Sequence, residues 1–362
     1  MKNIGFCIDS LEIGGAEKLF VDIIKSLHKT KKYKIYLLTT LKSDSYFFNE
    51  IKDMVTYHYL LTKEEMDNFK LNKNLITTFK SSLLKRKRYK LFSKEVDTVI
   101  DFLDGDFYKY IKTEKNKSKI VWLHSNYKDL VLRKKIDKKI NHYNKVIVIT
   151  NSMYEEISVK KEMENKELFM IYNMFDFNKL DRLLKEKVEE QFKKEKYFLT
   201  VCRLDESQKD VTTLIKSYSE YKGDEKLYII GDGKDKKSLE ELVMNLELSQ
   251  RVIFLGEKKN PFKYMKNAKA FILSSKGEGF GLVLVEALYA GTKVISSNCE
   301  YGPREILLNG DVGELFPVGN KEKLLEKLNL VTKKKYDNEK IKKSLERFKG
   351  KTIIKEIERV IR

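Results

Sequence analysis

Cysteine, proline and long apolar runs are all scarce in this chain. Its three cysteines, Cys7, Cys202 and Cys299, stand far apart in 362 residues. An odd, scattered set argues against a disulfide framework, and no two have the spacing of a zinc site. A reducing compartment fits that usage. Three prolines leave little material for long extended linkers. No window holds the roughly 18 consecutive apolar residues of a membrane-spanning helix. The opening MKNIGFCIDS, interrupted by Asp9, is too short and polar for a signal peptide. The expectation is a cytoplasmic protein that is soluble or rests on the inner face of a membrane. Negative charge is also short: 54 acidic residues face 73 Lys and Arg, a net charge of +19. Nucleic acid, an anionic membrane and a phosphorylated substrate all suit such a charge. An AT-rich genome accounts for a lysine excess equally well.

What is present is alternation. The length suffices for two domains. Short apolar runs at 3–9, 33–39, 97–102, 119–124 and 145–150 read as buried strands, with Lys-rich helical stretches between them. The second half repeats the theme at 197–202, 226–231, 252–256, 270–274 and 292–296. Both halves are therefore expected to be doubly wound α/β domains. Loops are expected between 42 and 91, and they carry no readable code for what they bind. Near the end, Ile353, Ile354, Ile357, Val360 and Ile361 fall at helical spacing.

The densest stretch is 276–306, KGEGFGLVLVEALYAGTKVISSNCEYGPREI. It follows the strand at 270–274 with a loop containing Gly277, Gly279 and Gly281, then a helix from residue 282, then a strand. Glycines admit a ligand close to the backbone, and the first N–H groups of the helix point outward toward an anion. The amides of Phe280, Gly281, Leu282 and Val283 are the expected donors. Glu286 lies in an otherwise apolar helix, where an unpartnered carboxylate is costly. Either it grips hydroxyls of a bound sugar or ribose, or it pairs with Arg304.

Other candidates sit where strands end, the ligand edge of an open α/β sheet. Gly14-Gly15-Ala16-Glu17 follows the first strand, and His124 ends the run at 119–124. Arg203 and Lys209 follow the run at 197–202; two cations there can hold a diphosphate, Arg bidentately and Lys as a point charge. Gly256 closes the run at 252–256, next to a loop expected near a nucleotide base. In 81–92, Lys85, Arg86, Lys87, Arg88 and Lys90 interleave with Leu83, Leu84, Tyr89, Leu91 and Phe92. Such a patch is either an anionic-membrane contact or a solvated helix face.

Taken together these motifs resemble one family. Glu278 and Glu286, separated by seven residues in EGFGLVLVEALYAG, look like the EX7E signature of the GT4 family of retaining glycosyltransferases. Gly302-Pro303-Arg304-Glu305-Ile306 is similar to a segment of bacterial members that build surface polysaccharide. Trp122-Leu123-His124-Ser125 and Tyr127, the turn from Asn173 to Asp176, and the GGAE segment fit the same pattern, in family order.

The resemblance implies a GT-B fold, with two Rossmann-like domains facing each other across a cleft. Residues 1–175 would bind acceptor and 176–345 the nucleotide-sugar, with 346–362 packing back on the first. It implies transfer from a nucleotide-sugar, with UDP expected, to a glycan or lipid-linked acceptor in capsule or lipopolysaccharide synthesis. Arg203 and Lys209 would neutralise the leaving diphosphate, replacing a metal; no cofactor is expected. Glu278 and His124 would contact the sugar, Glu286 the ribose, and Gly14 and Gly15, with Glu17, the diphosphate and acceptor. Two rivals stand beside it. A GT-B-fold nucleotide-sugar epimerase would need no acceptor, and a basic nucleic-acid-binding protein would explain the charge alone, though no aromatic-basic recognition motif or zinc module supports it.

Overall fold

The computed structural model describes residues 1–12 and 14–362. It divides into one unit of Met1–Phe175 with Phe348–Arg362 and another of Asp176–Arg347. In the first, strands β1 (Lys2–Ile8), β2 (Tyr33–Leu41), β3 (Thr56–Leu61), β4 (Thr98–Asp101), β5 (Ser118–Leu123), β6 (Lys145–Val148) and β7 (Glu167–Met170) form a parallel sheet. Its order is β3-β2-β1-β4-β5-β6-β7. The last five residues of β1 are all buried, which is why it reads as a continuous apolar run and does not alternate. The order reverses between β1 and β4. Ligands bind at such a reversal, beyond the carboxyl ends of the two strands.

Helix α1 (Gly15–Lys29) turns Leu19, Phe20, Ile23, Ile24 and Leu27 into the core, where Phe20 meets Phe6 and Phe102 edge to face. Residues 42–91 are more ordered than the sequence suggests. They hold β3 and a helical hairpin, α2 (Lys63–Leu71) and α3 (Leu75–Lys94). Each helix starts with a capping box, Thr62 with Glu65 and Asn74 with Thr77. Strand β3 escapes a periodicity reading because it is an edge strand whose first four residues are only half-buried.

In the second unit, β8 (Tyr197–Val201), β9 (Lys226–Ile230), β10 (Val252–Gly256), β11 (Ala270–Leu273), β12 (Lys293–Ser297) and β13 (Glu314–Phe316) form a parallel sheet. Its order is β10-β9-β8-β11-β12-β13, with the reversal between β8 and β11. Phe198, Ile229, Ile272 and Ile295 from the strands pack with Leu214 and Tyr218 of α4 (Val211–Ser219) in one core. Helix α5 (Leu282–Tyr289) connects β11 to β12, so the strand, glycine loop, helix and strand expected from the sequence are all present. The three-residue edge strand β13 was not legible.

The last helix, α6 (Gly350–Ile361), belongs to the first unit. It buries Ile353, Ile357, Val360 and Ile361, each contributing roughly 1.5–3 kcal/mol of transfer energy. Lys2 and Lys145 donate to its last carbonyls, those of Ile361 (2.6 Å) and Val360 (2.9 Å). Cations there also complement the helix dipole.

The basic patch needs correction. Arg88 does not face outward: it forks onto Glu65 at 2.6 and 2.9 Å and donates to the carbonyl of Leu60. Lys85 is half-buried, and burial lowers its pKa. Of the five cations expected to share a membrane face, Arg86, Lys87 and Lys90 are exposed.

Candidate active site

The reversal between β8 and β11 brings two loops side by side. The first carries Arg203 and Lys209, the second Glu278 and the glycines. The N–H of Lys276 donates to the carbonyl of Gln208 (2.7 Å), and the Gln208 side-chain amide to the carbonyl of Gly277 (3.2 Å). Ser274 Oγ donates to the carbonyl of Lys209 (3.1 Å). At the centre, Lys209 Nζ lies 2.6 Å from Glu278 Oε1, which also accepts from Ser275 Oγ at 2.6 Å. Both side chains are largely buried, at 15% and 10% exposure. Among the described residues, Glu278 Oε2 has no hydrogen bond, so one acceptor stays available for a hydroxyl. Lys209 has three N–H donors and can serve a phosphate oxygen while keeping Glu278.

Arg203 differs. Its side chain is 67% exposed, with weak contacts to Gln208 (3.3 Å) and Asp205 (3.8 Å). An exposed guanidinium so lightly held can swing to an anion at little cost. The loop beneath it rests on glycines after β9. A β-carbon on Gly231 would lie 1.9 Å from the carbonyl oxygen of Cys202, and one on Gly233 2.3 Å from that of Leu204.

Gly281 precedes helix α5 as its N-cap, with a φ of +93° that favours glycine. The N–H of Leu284 returns to the Gly281 carbonyl at 2.9 Å. The N–H groups of Leu282 and Val283, in the first turn, have no intrahelical partner. Behind this turn lies Gly302 (φ +88°), where a β-carbon would fall 1.7 Å from the carbonyl oxygen of Phe280. The glycine of the GPREI segment thus lets that segment back the glycine loop. Glu286 is buried, at 9% exposure. Arg304 Nε donates to Asn298 Oδ1 at 3.1 Å. Gly256 ends β10 with φ +66°.

In the first unit the candidates lie at the same edge of the other sheet. Gly14 precedes α1 in extended conformation, and Gly15 opens the helix. The Glu17 carboxylate folds back so closely that a β-carbon on Gly14 would lie 2.1 Å from Oε2. Burial raises the Glu17 pKa. His124 follows β5, its ring against Phe102 (4.5 Å between centroids) and stacked on Trp122 (5.4 Å). Burial pulls the imidazole down to about 3, so the ring is neutral at physiological pH and acts only through hydrogen bonds. Its Nε2 is buried without a hydrogen-bond partner among the described residues.

Asp104 escaped sequence reasoning. With φ +55°, it accepts the N–H of His124 (2.7 Å) and of Ser125 (3.3 Å) on Oδ1, and Ser125 Oγ (2.6 Å) on Oδ2. It holds the turn that carries the histidine. The Asp104-Gly105 dipeptide after a strand was the available signal. Ser275 and Gln208 were missed as well; the partner of Gln208, Gly277, is 69 residues away, whereas that of Ser275, Glu278, is a near neighbour. Among the described residues, no three or more His, Cys, Asp and Glu side chains are grouped to hold a metal.

Residues 181–348 match the model of the glycosyl transferases group 1 family. The chain is 26% identical over 373 aligned positions, covering 99% of itself and 97% of the relative, to a Campylobacter jejuni enzyme. That enzyme is N-acetylgalactosamine-N,N'-diacetylbacillosaminyl-diphospho-undecaprenol 4-alpha-N-acetylgalactosaminyltransferase. Among solved structures, the lipopolysaccharide outer core galactosyltransferase WaaB in its apo form superposes with a TM-score of 0.77 at 24% identity, over 100% of this chain and 99% of that one. Anabaena HepE in complex with UDP-glucose gives 0.75 at 18% identity, again over 100% and 99%. The two parallel sheets are thus those of the GT-B fold.

Proposed function

We propose that this chain, which belongs to the group 1 glycosyltransferases, moves a sugar from a UDP-sugar to a lipid-linked or lipopolysaccharide glycan on the cytoplasmic face of a membrane. The carrying observation is the set of positive charge and backbone donors at the β8/β11 reversal: Lys209, Arg203 and the first turn of α5. Sugar transfer leaves growing negative charge on the departing diphosphate. Donors fixed where that charge develops accelerate the step, one well-placed donor typically by about 10²–10³ in kcat. Lys209 is pre-oriented by Glu278, while mobile Arg203 closes over the phosphates once donor arrives. The amides of Leu282 and Val283 add dipolar stabilisation.

Glu278 Oε2 in the second unit and His124 Nε2 in the first each lack a hydrogen-bond partner among the described residues, which supports each as a contact to sugar hydroxyls. Glu286, one turn into α5, suits the ribose, and Gly14 and Gly15 the diphosphate and acceptor. The relatives lend the acceptor class: one acts on a diphospho-undecaprenol glycan. Family membership gives no support to an epimerase or to nucleic-acid binding.

The test is a thermal-shift and turnover panel of UDP-, GDP- and ADP-sugars with lipid-linked and lipopolysaccharide acceptors. A UDP-sugar should stabilise the chain and turn over only with acceptor, with the anomeric configuration retained by NMR. Donor conversion without acceptor would favour the epimerase, and an inverted product would reject the retaining assignment. We also propose that two cations perform the charge neutralisation a divalent ion would supply. Rates should then be unchanged by EDTA; loss restored by added Mg2+ would refute that.

A further inference from the structure

The outer end of the α2–α3 hairpin is apolar and uncovered. Leu71, Leu75, Ile76 and Phe79 are 81%, 90%, 65% and 69% exposed, and Leu83 is 58% exposed. Scattered exposed leucines need no explanation, but a contiguous patch of five marks an interaction site. Along α3, Leu75, Phe79, Leu83, Arg86, Lys90 and Lys94 recur every three or four residues and so share one stripe. Ser81 and Phe92, on the opposite side, are buried. A single exposed face therefore changes from apolar at the tip to basic toward the sheet. Helix α3 contains no Asp or Glu in its twenty residues.

The basic end continues beyond the helix. Arg86, Lys90 and Lys94 line a groove with Lys109 and Lys112 from the turn after β4. The one carboxylate in that lining, Glu114, is engaged by the Ser93 hydroxyl at 2.8 Å. That single carboxylate faces seven Lys and Arg side chains in the lining, so positive charge in the groove is in large excess.

We propose that the α2–α3 hairpin seats the enzyme on an anionic bilayer. The tip enters the interface between headgroups and acyl chains, and the groove receives lipid phosphates. Two features favour a bilayer over a folded partner. Side chains this exposed stand clear of their own unit, and a fluid layer closes around a convex tip where a rigid surface cannot. Long lysine side chains beside an apolar wedge also extend readily to headgroup level. This differs from a basic patch at 85–90: the apolar contact lies earlier, Arg88 is excluded by its pairing with Glu65, and Lys109 and Lys112 join from a distant segment.

The proposal is independent of donor and acceptor identity, so its test uses vesicles without glycan. The full chain is sedimented with phosphatidylglycerol–phosphatidylcholine vesicles and with phosphatidylcholine alone. Binding should require the anionic lipid and weaken with salt. The triple variant Leu75→Ser, Ile76→Ser, Phe79→Ser and the double variant Lys109→Glu, Lys112→Glu should each lower partitioning about tenfold or more. All five residues are exposed, so far-UV dichroism and Tm should match wild type, and turnover on a soluble acceptor should persist. Loss with the groove variant alone would reduce the site to a phosphate binder and overturn the insertion. So would equal binding by the tip variant, or tip-dependent self-association of wild type without vesicle binding.

Discussion

Lys209 Nζ and Glu278 Oε1 stand 2.6 Å apart and join the loop after β8 to the glycine loop after β11. The pair is largely desolvated, so each partner depends on the other. Lys209→Ala should cost about 3 kcal/mol of stability by stranding the carboxylate, and about 10²–10³ in kcat by removing charge from the leaving group. Glu278→Gln keeps its Ser275 contact and should destabilise less. Denaturant melts and kinetics on both single variants and the double variant would read the coupling, expected to exceed about 1 kcal/mol.

Arg203 separates binding from folding. Because its side chain is 67% exposed, Arg203→Ala should move stability by no more than about 0.5 kcal/mol. Its effect should fall on catalysis, with kcat reduced at least tenfold. A Tm loss comparable to that of Lys209→Ala would contradict the mobile-clamp role.

Gly302→Ala should act from behind the site. The new methyl would sit 1.7 Å from the Phe280 oxygen at a φ of +88°, so the glycine loop must move. Destabilisation of at least about 2 kcal/mol is expected, together with weaker UDP binding by calorimetry. Unchanged UDP affinity would show that the loop amides do not contact the nucleotide.

Asp101, the last residue of β4, supplies a pH signature through its own burial. Its Oδ2 accepts from Tyr143 Oη (2.7 Å) and the Phe107 N–H (3.0 Å). Burial pushes the carboxyl up to about 8. The folded chain therefore keeps a proton that the unfolded chain releases near 3.8. This group's contribution is fully present below about 4 and is lost as pH rises through 8. Asp101→Asn keeps both acceptor bonds and should flatten the stability profile between those limits. The His124 imidazole, held near 3, works the opposite way. Only the unfolded chain takes a proton as pH falls below 6.5, so stability drops there, and His124→Gln should remove that acid-side loss.

The strands at 197–202, 226–231, 270–274 and 292–296 were readable because parallel strands covered on both faces must be apolar throughout, and 252–256, though a half-buried edge strand, still makes an unbroken apolar run. The loop residues were readable as types: glycines before a helix, cations after a strand. Edge strands β3 and β13 were not, since half-buried or three-residue segments leave no periodic trace. Nor was the hairpin at 63–94, although both capping boxes were written in it.

By itself the sequence determined the α/β alternation and which residues stand at strand ends, and it carried the family resemblance, because each rests on local pattern and spacing. Pairing was decided by tertiary structure. Lys209 meets Glu278 across 69 residues, Arg88 leaves the basic face for Glu65, and Asp104 holds the turn of His124. These contacts follow from strand order and helix rotation, which bring distant side chains within hydrogen-bonding reach, and no window of sequence contains both partners.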